Sequence, residues 1–393
     1  MEIQRKIVES KLPPSNKEVW WFDLNDEVIK IYKSGKWIAT ADPANDNEYN
    51  SPYGIVKYLT DDNTVLPEVS SALLVNQTEV IFDNNSVPDS AFRDAGNAGI
   101  RTILLQDVKT IGKGAFNKLT DLNFLYLGNV QYIKSNAFRS CKYLDSIHLP
   151  DSIIDIEPGS LPAGLGHGLS CITGKHTIDD TFVVIDSKLI YTAAGYPDFE
   201  DHSLRIPNSV KILRSESVAF LKYYSESTPD DGEVTVGWDV YIPESVQEIE
   251  EGAFGLSSMS ICNFYGKFAR ENGAFCIYNN NLIAFAGSEN TSANIPEDVI
   301  RIDKRAFQRS LCLETVHIPS SVKSIGQYAF LSIDTLKSIY INSTVPPVLD
   351  LSVFGEATYP LNAIIYVPEE AVETYKSATN WSAYADKIKG YKF

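Results

Sequence analysis

One phrase recurs along this chain, I/L-P-x-x-V-x-x-I-x-x-x-A-F, and few folds are open to a chain that rewrites a phrase at near-constant spacing. It reads LPDSIIDIEPGSL from Leu149, IPNSVKILRSESV from Ile206, IPESVQEIEEGAF from Ile242, IPEDVIRIDKRAF from Ile295 and IPSSVKSIGQYAF from Ile318. Shorter copies occur at Val108 (VKTIGKGAF) and Val130 (VQYIKSNAF), and a degenerate one, SVPDSAF, at Ser86. Units of this size cannot bury an apolar face alone, so neighbours stack and share one elongated core. The pattern demands a solenoid. It leaves the ligand open, because exposed side chains set what a scaffold binds.

A second signal, L-x-x-I-x-L, lies between copies of the phrase, as at Leu144, Ile147, Leu149 and at Leu336, Ile339, Ile341. Its last two positions alternate apolar with exposed, the period of a strand with one buried face. Each repeat is therefore expected to give one short strand, with the Ala-Phe element as the opposite wall. The last apolar residue of each strand then falls at Leu105, Leu127, Leu149, Ile172, Ile206, Ile242, Phe264, Ile295, Ile318, Ile341 and Val367. Most intervals between these markers are 22 or 23 residues.

The longer intervals hold insertions. ITGKHTIDDTFVVIDSKLIYTAAG from Ile172 parallels FYGKFARENGAFCIYNNNLIAFAG from Phe264, and each reads as a β-hairpin replacing the Ala-Phe wall of its repeat. A third insertion, Lys222 to Gly237, is acidic with Pro and Gly and reads as a projecting loop. The organisation expected is an N-terminal linker and aromatic-rich β cap over 1–80, a repeat solenoid over 81–367 with insertions near 175–200, 222–237 and 267–290, and a helical cap over 368–393 opened by Pro368 and two acids.

The phrase followed by L-x-x-I-x-I-P resembles the BspA-like leucine-rich repeats of bacterial cell-surface proteins, as does the ending TVPPVLDLSVFG from Thr344 and IIYVPEEAVETYKSATNW from Ile364. The resemblance spans roughly residues 80 to 393. It implies an α/β leucine-rich repeat solenoid with a parallel sheet on its concave face. It also implies a secreted or surface-anchored protein, its leader removed, that binds other proteins or host matrix, and it carries no catalytic residues. The phrase departs from the pattern at Ser160-Leu161 and Ser217-Val218, where Ala-Phe is lost.

Composition removes other classes. A net charge of -17, from 51 acidic against 34 basic residues, works against a phosphate backbone, which needs clustered Lys and Arg. Nucleic acid is not an expected partner. No run reaches the ~20 apolar residues of a membrane-spanning helix. Cys141, Cys171, Cys262, Cys276 and Cys312 are too sparse for a disulfide framework and lack C-x-x-C spacing, so no zinc site is expected; Cys141 and Cys262 read as small buried hydrophobes. No cofactor is implied.

Each face strand keeps one position between its inward residues. Down the stack this column reads Leu104, Tyr126, His148, Cys171, Arg205, Tyr241, Asn263, Asn294, His317, Tyr340 and Tyr366. An amphipathic aromatic stripe suits protein recognition, and Tyr126, His148, Arg205, Tyr241, His317, Tyr340 and Tyr366 are the candidate ligand-binding residues. The competing reading is that neighbouring rings only stabilise the sheet. A glycan is the alternative partner, stacked on the tyrosines. His148 and His317 stand too many strands apart to share an ion. Gly166-His167-Gly168 beside Ser170 has no nucleophile elbow or placed acid, and reads as a loop. Asp198, Glu200, Asp201, Asp230, Asp231 and Glu233 lack the spacing of a calcium loop. With no set of nucleophile, base and stabiliser, the chain reads as non-enzymatic, and an enzyme is the least favoured class.

Overall fold

The computed structural model describes residues 85–92, 100–105, 108–162, 169, 171–193, 203–218, 237–255, 261–355 and 360–392, with the backbone of the strands at 7–10, 20–23, 28–33, 36–39, 55–57, 79–82, 224–228 and 232–236. The L-x-x-I-x-L segments form parallel strands in the expected register. Val316 lies opposite Ile339, which lies opposite Ile365, which lies opposite Ile388, all of them buried. This face sheet runs in hydrogen-bonded blocks of four, two, three and five strands rather than as one ladder.

Each repeat supplies two strands, not one. The V-x-x-I stretch is itself a two-residue strand, as at Thr110–Ile111, Tyr132–Ile133 and Asp155–Ile156, and these pair in parallel to make a second sheet, the wall. Two residues are too few for alternation to show in a sequence. The Ala-Phe turns continue the cross-repeat bonding. Phe92, Phe116, Phe138, Phe307 and Phe330 each donate a backbone N–H to the equivalent carbonyl of the next repeat at 2.7 to 2.9 Å. Their side chains are sealed in the core together with Ala115, Ala137, Ala253, Ala306, Ala329 and Phe254. The rings stack on one another, Phe92 on Phe116 at 5.2 Å, Phe116 on Phe138 at 5.2 Å and Phe307 on Phe330 at 4.7 Å. Leu161 and Val218 take the same slot and are equally buried, so the lost Ala-Phe pairs cost volume but not position.

The wall turns depend on the left-handed backbone region. The residue before each Ala, or before the Ser160, Ser217 or Val353 that takes its place, has φ between +56° and +72° at Ser90, Gly114, Asn136, Gly159, Glu216, Gly252, Arg305, Tyr328 and Ser352. Only three of these are glycine. The turn is imposed by its cross-repeat bonds, which hold even a Tyr or an Arg where an isolated chain would resist it.

Both long insertions are antiparallel hairpins. Phe182–Ile185 pairs with Lys188–Thr192, and Phe275–Tyr278 pairs with Asn281–Phe285. Their two-residue turns, Asp186-Ser187 and Asn279-Asn280, place both residues at positive φ, as a tight right-twisting hairpin requires. The second strand of each also pairs in parallel with the next wall strand, Ile212–Leu213 or Arg301–Ile302. The hairpins thus extend the wall sheet. The second one does not replace the Ala-Phe element: Ala284 and Phe285 occupy it, with Phe285 N–H donating to Ala306 O at 2.9 Å and its ring 4.9 Å from Phe307. The core divides at the hairpins into three apolar clusters, each hairpin sending side chains into the clusters on both sides of it.

Three expectations at the margins change. The insertion 222–237 contains a hairpin rather than a loop, Tyr224–Thr228 against Gly232–Val236, because β-favouring residues lie on both sides of the Pro-Asp-Asp sequence. At the N-terminal end, Ile55–Lys57 and Glu79–Phe82 already belong to the face ladder, while the strands from Ile7–Ser10 to Lys36–Ala39 make a separate four-stranded sheet. The C-terminal cap is not purely helical. After helix α1, Val372–Ser377, and a 3-10 turn at Ser382–Lys387, the strand Ile388–Tyr391 rejoins the face sheet beside Ile364–Pro368. The cap closes the last wall strand with side-chain donors: Trp381 Nε1–H reaches Pro347 O at 2.7 Å and Asn380 Nδ2–H reaches Leu349 O at 2.7 Å.

Candidate functional site

Strand alternation points the column away from the core, since its neighbours on either side are inward and buried. Tyr126, His148, Tyr241, Tyr340 and Tyr366 are partly exposed, and Arg205 and His317 are exposed. Because the two long hairpins, Phe182–Ile185 with Lys188–Thr192 and Phe275–Tyr278 with Asn281–Phe285, lie in the wall sheet, they do not cover this face.

The column forms three tracts, the first of which spans the break between the four-strand and two-strand blocks of the face ladder. In the first, Tyr126 stands in register with Leu104, and His148 Nδ1 is 2.9 Å from Thr173 Oγ1. In the second, the Arg205 guanidinium lies 4.0 Å over the Tyr241 ring, whose other face stacks on Tyr265 at 4.5 Å and 10°. In the third, His317 stacks on Tyr340 at 4.7 Å and 7°, Tyr340 on Tyr366 at 4.9 Å and 12°, and Tyr391 meets both tyrosines edge-on. Asn294 is in register with His317 and exposed.

Two members of the expected column are replaced. His148 is in register with Thr173, not Cys171, and Tyr241 with Tyr265, not Asn263. The cause is a glycine. Gly174 and Gly266 stand where Leu149 and Ile242 put their last inward side chain, so Ile172 and Phe264 are not the final apolar slot and each marker slips by two residues. The T-G-K and Y-G-K triplets were the available signal, a strand whose last residue turns away into a hairpin. Cys262 is also re-placed: the ladder skips from Trp238-Ile261 to Asp239-Asn263, so Cys262 is a bulge residue, half-buried, with Sγ 3.1 Å from Ser288 Oγ. Cys141 is the buried hydrophobe expected, its thiol pushed up to about 12 by burial.

On the wall, sequence reading missed a row of carboxylates. The residue after four of the wall strands, Glu157, Glu250, Asp303 and Asp350, accepts a backbone N–H from an earlier repeat: Ser135 at 2.8 Å, Ser215 at 2.9 Å, Gly252 at 3.0 Å and Gln327 at 3.2 Å. The slot varies enough that no motif marks it. Ion pairs then tie repeats on either side of a hairpin, Arg214 to Asp155 at 3.0 Å and Arg305 to Glu216 at 2.6 Å. Among the described residues no three His, Cys, Asp or Glu side chains are placed to hold a metal ion, and no helix is long and apolar enough to cross a membrane. Gly166, His167, Gly168, Ser170, Asp198, Glu200, Asp201, Asp230 and Asp231 lie outside the described residues, as does the side chain of Glu233.

With this register in place, the repeat acquires its class. Six copies of the BspA type leucine rich repeat region match residues 75–161 and 280–358. The chain is a leucine-rich repeat solenoid, and over those two segments its repeats are of the BspA type. No curated protein matches it. Among solved structures it is similar to a leucine rich cell surface protein of Faecalibacterium prausnitzii A2-165, with 18% identity over 84% of this chain and 96% of that one and a TM-score of 0.42. It is also similar to the pneumococcal vaccine antigen PcpA, with 17% identity, 80% and 79% coverage and a TM-score of 0.44. A leucine-rich repeat protein of Eubacterium ventriosum ATCC 27560 matches at 12% identity, 86% and 80% coverage and a TM-score of 0.34.

Proposed function

We propose that this protein is a non-enzymatic interaction module, displayed at the cell surface or secreted, that engages a protein or matrix ligand through the Tyr/His column of its face sheet. The observation that carries this reading is an open aromatic column whose ring faces are already occupied. Tyr241 is sandwiched by Arg205 and Tyr265, and Tyr340 by His317 and Tyr366. What remains for a partner is a ribbon of ring edges and phenolic hydroxyls, which suits the mixed apolar and hydrogen-bonding contact of a protein interface. A glycan held by stacking needs a free ring face, and the inner rings have none, so the sugar-binding reading is the weaker one. The resemblance of the repeats supports the extracellular setting.

The test separates stacking from recognition. Tyr340→Phe keeps the ring stack and removes the hydroxyl, so the melting temperature is expected to hold while affinity for a matrix or surface protein falls by about 0.5 to 1.5 kcal/mol. Tyr340→Ala and Tyr241→Ala are expected to cost about 1 to 3 kcal/mol of binding, with a smaller stability loss of about 1 kcal/mol from the missing cross-strand pairs. Pull-downs from matrix and surface-protein panels, run beside a glycan array, read the outcome. Unchanged binding in both alanine variants would sink the proposal, and array signal lost in Tyr340→Ala would install the glycan reading instead.

A further inference from the structure

The boundary between the middle and C-terminal core clusters is held on its wall side by polar groups instead of a strand ladder. The wall strand Glu248–Ile249 pairs backward with Ile212–Leu213, and Arg301–Ile302 pairs backward with the hairpin strand Asn281–Phe285, so among the described residues no wall pairing joins the two sides. Asp303 crosses that boundary. Its side chain is 4% exposed, and its Oδ2 accepts the Gly252 N–H of the opposite cluster at 3.0 Å. Glu251, the residue before that donor, is hydrogen-bonded to Asp303 through its own carboxyl. Asp303 is sealed from water while Glu251 stays half-exposed on Arg301, so it is Asp303, buried beside a like charge, that keeps a proton and donates it to the Glu251 carboxylate.

We infer that Asp303 and Glu251 form a proton-dependent clasp between the middle and C-terminal core clusters, closed when they share a proton and weakened when both are ionised. The other charged and titratable groups facing Asp303 do not remove this dependence. Arg301 pairs with Glu251 and reaches Asp303 Oδ1 only at 3.8 Å. Lys304 acts on Glu251 and places its Nζ 3.3 Å from Ser215 Oγ across the boundary. The Cys276 thiol approaches from the hairpin and is itself disfavoured as a thiolate by burial. Arg305 is engaged by Glu216. Burial, with Glu251 adding to it and the Gly252 N–H opposing it, raises the Asp303 carboxyl from 3.8 to about 7. Glu251 moves the other way, down: burial acts against that, and the hydrogen bonds from Asp303 and Arg301 prevail.

The sign of the linkage is set by the raised value. An acid that holds its proton more tightly when folded contributes stability in full below the unfolded value and loses it as pH rises through the folded one. Between pH 6 and pH 8 the unfolding equilibrium is therefore expected to shift about tenfold toward the unfolded state on account of Asp303 alone. Urea titrations at both pH values, compared between wild type and Asp303→Asn, read this difference while the histidines common to both cancel. The variant is expected to lack the tenfold component, and the Gly252 amide is expected to exchange more readily, after correction for intrinsic rate, in wild type at pH 8 than at pH 6. Glu251→Gln gives an independent reading if Asp303→Asn folds poorly, because it removes the like charge and is also expected to flatten the difference. A pH dependence equal to wild type in Glu251→Gln, or a Gly252 amide indifferent to pH, would overturn the clasp.

Discussion

Phe307→Ala is expected to lower the free energy of unfolding by about 3 to 5 kcal/mol, the cost of a large-to-small change in a core that cannot collapse. Phe307 is fully buried, with Phe330 at 4.7 Å on one side, Phe285 at 4.9 Å on the other and Phe275 at 6.5 Å. Its neighbours are pinned by the cross-repeat bonds of Phe285 to Ala306 and of Phe330 to Val353, so relaxation into the vacated space would break backbone bonding. Urea denaturation followed by the fluorescence of Trp381, kept as the single tryptophan with Trp20, Trp21, Trp37 and Trp238 replaced by Phe, measures the loss where it occurs, because Trp381 lies in the same apolar cluster. Phe138→Ala is expected to cost a similar amount in the N-terminal cluster, to which Trp381 does not belong. Since a solenoid's stability is a sum of units and their interfaces, the Trp381 transition should move much further in Phe307→Ala than in Phe138→Ala. A loss below 1 kcal/mol in either variant would place its ring outside the core.

The contrast between these clusters marks how far the sequence could be read. The face strands were legible because L-x-x-I-x-L alternates over enough residues to show its period, and Val316, Ile339 and Ile365 duly stack in register. The buried Ala-Phe pairs were legible because they recur. The wall strands were hidden by their length, and the left-handed turn residues by their chemistry, since Asn136, Glu216, Arg305 and Tyr328 carry no glycine signal. For the candidate site, alternation identified Tyr126, His148, Arg205, Tyr241, His317, Tyr340 and Tyr366 as one outward slot, and the structure places them there in three tracts. It missed Tyr265, Thr173 and Tyr391. The first two were displaced by glycines that end a strand inside the repeat, and the third lies on a strand that pattern reading assigned to a helical cap. The carboxylate row was invisible for a different reason: its partners are backbone amides of the neighbouring repeat, which leave no trace in residue type.

Those strand-ending glycines carry the second large effect. Gly266→Ala is expected to destabilise the protein by about 3 kcal/mol or more, combining a disallowed backbone region with a collision that no rotamer relieves. Gly266 has φ +101°, and a methyl group on it would stand 2.1 Å from Ile242 O and 3.1 Å from Ile242 C, both backbone atoms of the adjacent strand. Gly174→Ala meets the same obstacle in the first hairpin repeat, at φ +132° and 2.3 Å from Leu149 O. In ordinary repeats this slot holds an inward side chain such as Ile318 or Ile341, so the substitution does not merely add bulk; it asks a turn to revert to a strand. Because Tyr265 immediately precedes Gly266, the Tyr241–Tyr265 stack is expected to loosen with it, and near-ultraviolet circular dichroism should report that change alongside the urea midpoint. Gly114→Asn supplies the control. Gly114 is also left-handed, at φ +60°, but an added Cβ meets nothing nearer than 3.9 Å, and the equivalent slot one repeat later is Asn136. Its cost is expected to stay within about 1 kcal/mol. A Gly266→Ala variant no less stable than Gly114→Asn would show that the strand end is soft and that the hairpins, not the glycines, set the register of the column.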